Sequence, residues 1–107
     1  MKKYKQSNDM AFCQEIEFAI KQYEKAIGQF ASRTRTMIEN HGNVGALELL
    51  MNSADLQKGF KTLRDKNMLD ITFEAIMVKY QNIIDFDKEA VKVAKFRYDN
   101  PKWDENI

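Results

Sequence analysis

Residues 33–69, RTRTMIENHGNVGALELLMNSADLQKGFKTLRDKNML, carry three arginines, two short amphipathic runs and three of the chain's four glycines. The fold turns on how this stretch is punctuated. Gly42 stands where a helix arriving from the N-terminal side needs a residue at positive φ, and Asn43 then offers a side-chain oxygen to cap a following helix. After that corner Val44, Leu47, Leu50 and Met51 recur at helical spacing, which predicts a second helix over residues 44–52. Residues 53–55 break the pattern. Asp55 can cap a third helix that turns Leu56, Phe60 and Leu63 to the core, and Asn67 supplies the next left-handed stop.

Outward toward the N-terminus, Phe12, Ile16, Ala19, Ile20, Tyr23, Ile27, Phe30, Met37 and Ile38 project within about 50° of one direction on a helical wheel. That spacing predicts one long first helix, capped among Ser7, Asn8 and Asp9, with Gly28 tolerated inside it at ~1 kcal/mol against alanine. Toward the C-terminus, Asp70 or Thr72 caps a fourth helix carrying Phe73, Ile76, Met77 and Tyr80, and Glu74 in its first turn suits the helix dipole. Asp87 caps a fifth helix that Phe86 and Val91 can staple, and Asn100 with Pro101 ends it. The expected architecture is a single all-α domain over residues 1–107, a bundle of five helices in which one long N-terminal helix is packed by four shorter ones. Residues 1–8 and 100–107 read as tails. A stripe of about thirty residues is more than ~40 Å long, longer than four short helices easily cover, so part of it is expected to serve a homodimer.

Composition narrows the partners. With 107 residues, 44% hydrophobic and 31% charged, the chain can bury one core and is not of the charged, aromatic-poor class that stays unfolded. Seventeen basic residues against sixteen acidic give a net charge of +1, so any pull on nucleic acid or anionic lipid must come from a local patch. No apolar run approaches membrane-spanning length. Cys13 is the only cysteine, which excludes an internal disulfide and makes the reducing cytoplasm the expected compartment.

Chemistry-bearing sets are thin. His41 is the only histidine, and on one straight helix it stands some seven turns, roughly 40 Å, from Cys13, too far for a nucleophilic pair. It reads as a helix C-terminal residue interacting with the dipole. Asp70 with Glu74, and Asp85 with Asp87 and Glu89, read as caps and acidic first turns rather than as a general acid–base pair or a calcium loop. No catalytic residue, metal ligand or cofactor is therefore assigned.

The basic residues are the better candidates. Arg33 and Arg35 lie about 90° and 110° from the stripe centre, one on each border, beside threonines that are poor interior helix formers. One of them suits a structural clamp; the alternative is a phosphate or carboxylate site using the guanidinium fork. Lys58, Lys61 and Arg64 form a basic stripe on the third helix, and Lys88, Lys92 and Lys95 another on the fifth. Solvated faces look the same. Trp103, the only tryptophan, either folds back on the core or awaits a partner.

The segments ASRTRTMIENHGNVGALELLM and GFKTLRDKNMLDITFEAIMVKY, followed by a phenylalanine-led final helix, resemble a family of small bacterial and phage-type helical domains of uncharacterised activity. The resemblance rests on Thr34, Arg35, Met37, Gly42, Ala46, Leu50, Gly59, Phe60, Leu63, Leu69, Asp70, Thr72, Glu74 and Ala94. Asn67 departs from the family's glycine but keeps a left-handed residue there. The resemblance implies a compact fold and a setting near phage defence or counter-defence, and no activity. The combined expectation is a non-catalytic cytoplasmic binding module that docks on a protein partner, with Trp103 and the first-helix stripe as docking surface. The alternatives are nucleic-acid backbone binding through Arg33, Arg35, Lys58, Lys61 and Arg64, or nucleotide or small-anion binding at Arg33 and Arg35.

Overall fold

The computed structural model describes residues 4–103, leaving out the side chains of residues 54–56. Among these residues there are five α-helices and no strand: α1 Met10–Ile27, α2 Ser32–Leu50, α3 Ala54–Asp65, α4 Phe73–Tyr80 and α5 Lys88–Asp99, with a 3-10 turn Leu69–Ile71 ahead of α4. The all-α five-helix expectation holds. No described helix is long and apolar enough to cross a membrane.

The long first helix does not. The stripe is cut at Gly28, which adopts the left-handed conformation (φ 72°, ψ 24°) and closes α1 with its N–H on the Glu24 carbonyl at 2.8 Å. Residues 29–31 then reverse the chain, so that α2 runs back along α1: Arg35 reaches Glu24 and Glu17, and Asn43 reaches Ser7 and Cys13. The molecule's longest extent is 35 Å, shorter than the helix the periodicity implied. A wheel cannot see this break, because a reversal that keeps both halves facing one core preserves the stripe. Phe30 is the exception: it lies in the connection and is 79% exposed. Phe12, Ile16, Ala19 and Ile20 are all buried within the chain, so the length argument for a homodimer through this stripe loses its premise.

Gly42 makes the expected break at positive φ: at φ 78° and ψ 164° it is non-helical, and α2 is two helical segments joined across this kink. The backbone N–H groups freed by the kink are capped by the chain's own N-terminal segment. The Lys5 carbonyl accepts from Val44 and Gly45 N–H at 3.0 Å each, and Lys5 N–H donates to the His41 carbonyl at 2.9 Å. Asn43 does not cap α2 with its side chain. Its Oδ1 accepts from Ser7 N–H and its Nδ2 donates to the Ser7 carbonyl, while its own N–H goes to Gln6 Oε1. Lys5–Ser7 are thus a strap bound into the kink rather than part of a tail, and Lys5 Nζ adds a 2.6 Å ion pair to Glu48.

The remaining punctuation follows the sequence. Asp9, Thr72 and Asp87 cap α1, α4 and α5, each accepting from the N–H three residues on. Asn67 is the one non-glycine at positive φ among the described residues, at 59°. Asp70, the other candidate cap for α4, instead accepts from the Tyr98 hydroxyl at 2.7 Å. The proposed Asp55 cap and the Leu56 core contact lie outside the described side chains. The core joins Phe12, Leu47, Leu50, Met51, Ile76, Met77 and Ala94, all within 1% of full burial, with α4 and α5 packed closely together.

Candidate functional site

The reversal at Gly28 leaves a depression bordered by α1, α2, α3 and the start of α4. It is an open cavity of about 330 Å³. Its outer rim holds the exposed residues Phe30, Arg33 and Lys58; its inner side holds Ile20, Phe60 and Glu74, each 3% exposed or less. The rim therefore offers an aromatic ring and two cations, and the interior an apolar wall.

Glu74 is the residue that sequence reasoning misjudged most. It stands in the first turn of α4, but it is fully buried and not merely a dipole complement. Its Oε2 accepts from Arg97 Nη1 at 3.2 Å, and Arg97 Nη2 donates to the Met51 carbonyl at 2.9 Å, so one guanidinium joins α4, α5 and the end of α2. Glu74 Oε1 makes no hydrogen bond. Burial pushes the carboxyl up to about 7, against the opposing pull of its own backbone N–H and of Arg97. A signal was present: α4 reads FEAIMVKY, a helix apolar nearly all round, which leaves a glutamate no face to escape to.

The sequence-predicted cations are divided. Arg35 is the structural clamp. Its Nε and Nη2 hold both Glu24 oxygens at 2.8 Å and its Nη1 and Nη2 reach Glu17 at 3.1 and 3.0 Å, while Glu24 also accepts from Ala31 N–H. The Arg35 hydrogen bonds hold the Glu24 carboxyl down at about 2, and the two glutamates push the guanidinium up. The structural clamp expected of one of the two arginines is thus made by Arg35, and it closes onto carboxylates. Arg35→Ala is expected to cost about 1–2 kcal/mol in urea unfolding, discounted because a third of the side chain meets solvent, and to cost less at high salt.

Arg64 turns inward, with 9% of its side chain exposed, bonding Asp65 and donating to the Pro101 carbonyl at 2.8 Å. Lys61 Nζ stands 5.9 Å over the Trp103 ring. Trp103 itself is folded back edge-on against Phe60 at 5.3 Å, with the Arg97 guanidinium 5.6 Å from its ring. Of the six sequence candidates, the structure brings only Arg33 and Lys58 to the same opening. On α5, Lys92 and Lys95 make exposed pairs with Glu89 and Asp99, as a solvated face does.

His41 and Cys13 were separated on the premise of one straight helix. That premise fails with the reversal: Cys13 Sγ lies 3.4 Å from Asn43 Nδ2, two residues from His41. The described hydrogen-bond partners of Cys13 are Asn43 and the Ser7 carbonyl, which place it against the strap. The acidic pair Asp70 and Glu74 is likewise split between Tyr98 and Arg97. Among the described residues no group of His, Cys, Asp or Glu is placed to hold a metal ion.

No protein-family model, curated protein or solved structure matches this chain.

Proposed function

We propose that the chain is a non-catalytic binding module that docks on a protein partner at the cavity beside the α1–α2 connection. Phe30 carries this reading. A phenylalanine 79% exposed, fixed in a three-residue reversal on the rim of an apolar depression, loses hydration free energy in the free protein and regains it on being covered. Aromatic anchors around a pocket are the usual centre of a protein interface. The cations support this over a nucleic-acid backbone: Arg35, Arg64 and Lys61 are engaged within the fold, which leaves no continuous basic track of the five. A bacterial or phage setting in defence or counter-defence rests on the sequence resemblance alone, and a cytoplasmic one on the single cysteine.

The test places a photo-crosslinking benzoyl-phenylalanine at Phe30, and separately at Phe96, an exposed aromatic on α5. A protein partner from the native host should be captured at Phe30 and not at Phe96. Binding of the purified partner should weaken roughly tenfold or more in Phe30→Ala and change little between low and high salt. Equal capture at both positions, or an affinity that collapses with salt, overturns the reading.

A further inference from the structure

We infer that the C-terminal turn ending at Trp103 is a latch on the cavity wall, held by Arg97 and released when Glu74 takes up a proton. The inference adds a regulation to the docking site above, so it rests on that reading for its use, though its test needs no partner. Three contacts connect the two ends. Arg97 Nη1 meets Glu74 Oε2 at 3.2 Å, and the same guanidinium stands 5.6 Å from the Trp103 ring. Trp103 packs edge-on against Phe60 at 5.3 Å, and Phe60 lines the cavity. A change at the sealed carboxyl therefore reaches the cavity through Arg97 and Trp103, with nothing entering from solvent but a proton. The turn also meets α3: the Pro101 carbonyl accepts from Arg64 Nη1 at 2.8 Å and Lys61 Nζ stands 5.9 Å over the indole, yet Trp103 is only half-buried.

The balance of forces gives the direction. With Glu74 ionised, its carboxylate neutralises a guanidinium that is itself buried, but its Oε1 is left without a hydrogen bond, so the ionised form is poorly held. Burial outweighs the pull of Arg97 on the carboxyl, which places the exchange in the neutral range, at about 7. Once the carboxyl is neutral, the described contacts leave Arg97 the Met51 carbonyl and the indole face. A buried cation without a counter-charge costs more than one cation–π contact returns, so the guanidinium moves toward water and the ring against it yields. Among the described residues Arg97 is the charged side chain that acts on this carboxyl. Arg33 and Lys58 stand on the cavity rim, Glu15 of α1 meets Lys79 and Tyr80, and Asp70 is taken by Tyr98.

Trp103 is the only tryptophan, so its emission reports the turn alone. Acrylamide quenching is measured on the full chain between about pH 5.5 and 8.5, where Glu74 passes from mostly protonated to mostly ionised. Quenching should be roughly twofold stronger at the acid end, as for a half-buried ring set free, while far-UV circular dichroism stays constant. Glu74→Gln, a neutral stand-in for the protonated acid, should quench at the acid value at every pH. By NMR, the Trp103 indole N–H, the Phe60 ring protons and the Glu74 carboxyl carbon of the wild-type chain should titrate with one midpoint, and this comparison decides alone should Glu74→Gln not fold. Quenching that does not change with pH, a step that persists in Glu74→Gln, or a step that accompanies loss of helix overturns the latch. A step at Trp103 without one at Phe60 overturns its link to the cavity. Docking at Phe30 survives each of these outcomes, since crosslinking there judges it separately.

Discussion

Gly42→Ala is expected to destabilise the fold by about 4–6 kcal/mol, whereas Gly28→Ala costs about 1 kcal/mol, although both glycines sit at positive φ. The difference lies in ψ and in what occupies the space. Gly28 is an ordinary left-handed cap with nothing within 4 Å of a built Cβ. Gly42 combines φ 78° with ψ 164°, a region open to glycine almost alone, and a Cβ there would stand 2.2 Å from the Lys5 carbonyl oxygen and 2.6 Å from its carbon. Backbone cannot yield as a side-chain tip does, so the strap must leave. Its departure strips the Lys5 oxygen from the Val44 and Gly45 N–H groups, and both residues are buried. Each orphaned donor adds roughly 1–3 kcal/mol to a backbone strain of similar size.

Urea unfolding of the two alanine variants measures the contrast. A further variant, Lys5→Pro, tests the mechanism: proline removes the N–H that meets the His41 carbonyl and disturbs the strap while leaving Gly42 in place. Combined with Gly42→Ala it should cost less than the sum of the two, by about 1–3 kcal/mol, because both lose the same bonds. Strict additivity would show that the strap does not report on Gly42.

These particulars mark what the sequence disclosed. Helix type, the caps at Asp87 and Thr72, the left-handed Asn67 and the buried residues Val44, Leu47, Leu50, Met51, Phe60, Leu63, Phe73, Ile76, Met77 and Tyr80 were legible, because each depends on residues within a turn or two of one another. What was not legible depends on partners far along the chain. Gly42 announced a turn, but the segment that fills it lies 37 positions earlier and carries no pattern of its own, only backbone groups. The break at Gly28 was concealed because the two halves of the stripe still face one core after the reversal. Arg35 showed as an oddity between threonines, yet its carboxylates stand on α1, where a single long helix could never have brought them. The cavity was invisible for the same reason, since without the reversal there is no rim for Phe30. The buried pair of Glu74 and Arg97 was half legible: Ala90, Ala94 and Arg97 are spaced i, i+4, i+7 on the buried side of α5, a stripe in which arginine is out of place unless something inside receives it.

That pair governs the second large effect. Arg97→Ala is expected to cost about 3–5 kcal/mol at neutral pH, since it leaves Glu74 buried without its counter-charge and the Met51 carbonyl without its donor. The cost should be smaller near pH 5, where the acid can be buried neutral. The sign follows from the carboxyl's own displacement. Its value rises from 4.5 to about 7 on folding, so between those limits the folded chain holds a proton that the unfolded chain has released. Stability credited to Glu74 is complete below 4.5 and is lost as pH climbs toward 7, at up to ~1.4 kcal/mol per pH unit. Glu24 acts in the opposite sense: Arg35 holds it at about 2 in the folded chain, so its contribution is present above 4.5 and fades as pH falls from there toward 2. The wild-type chain should therefore be most stable near pH 5, and its alkaline decline should belong to Glu74. Glu74→Gln, which cannot ionise, should flatten stability between pH 5 and 7 while leaving the acid limb in place, as measured by urea midpoints across that range. An alkaline limb that persists in Glu74→Gln would assign the decline to some other group and remove the buried carboxyl as its cause.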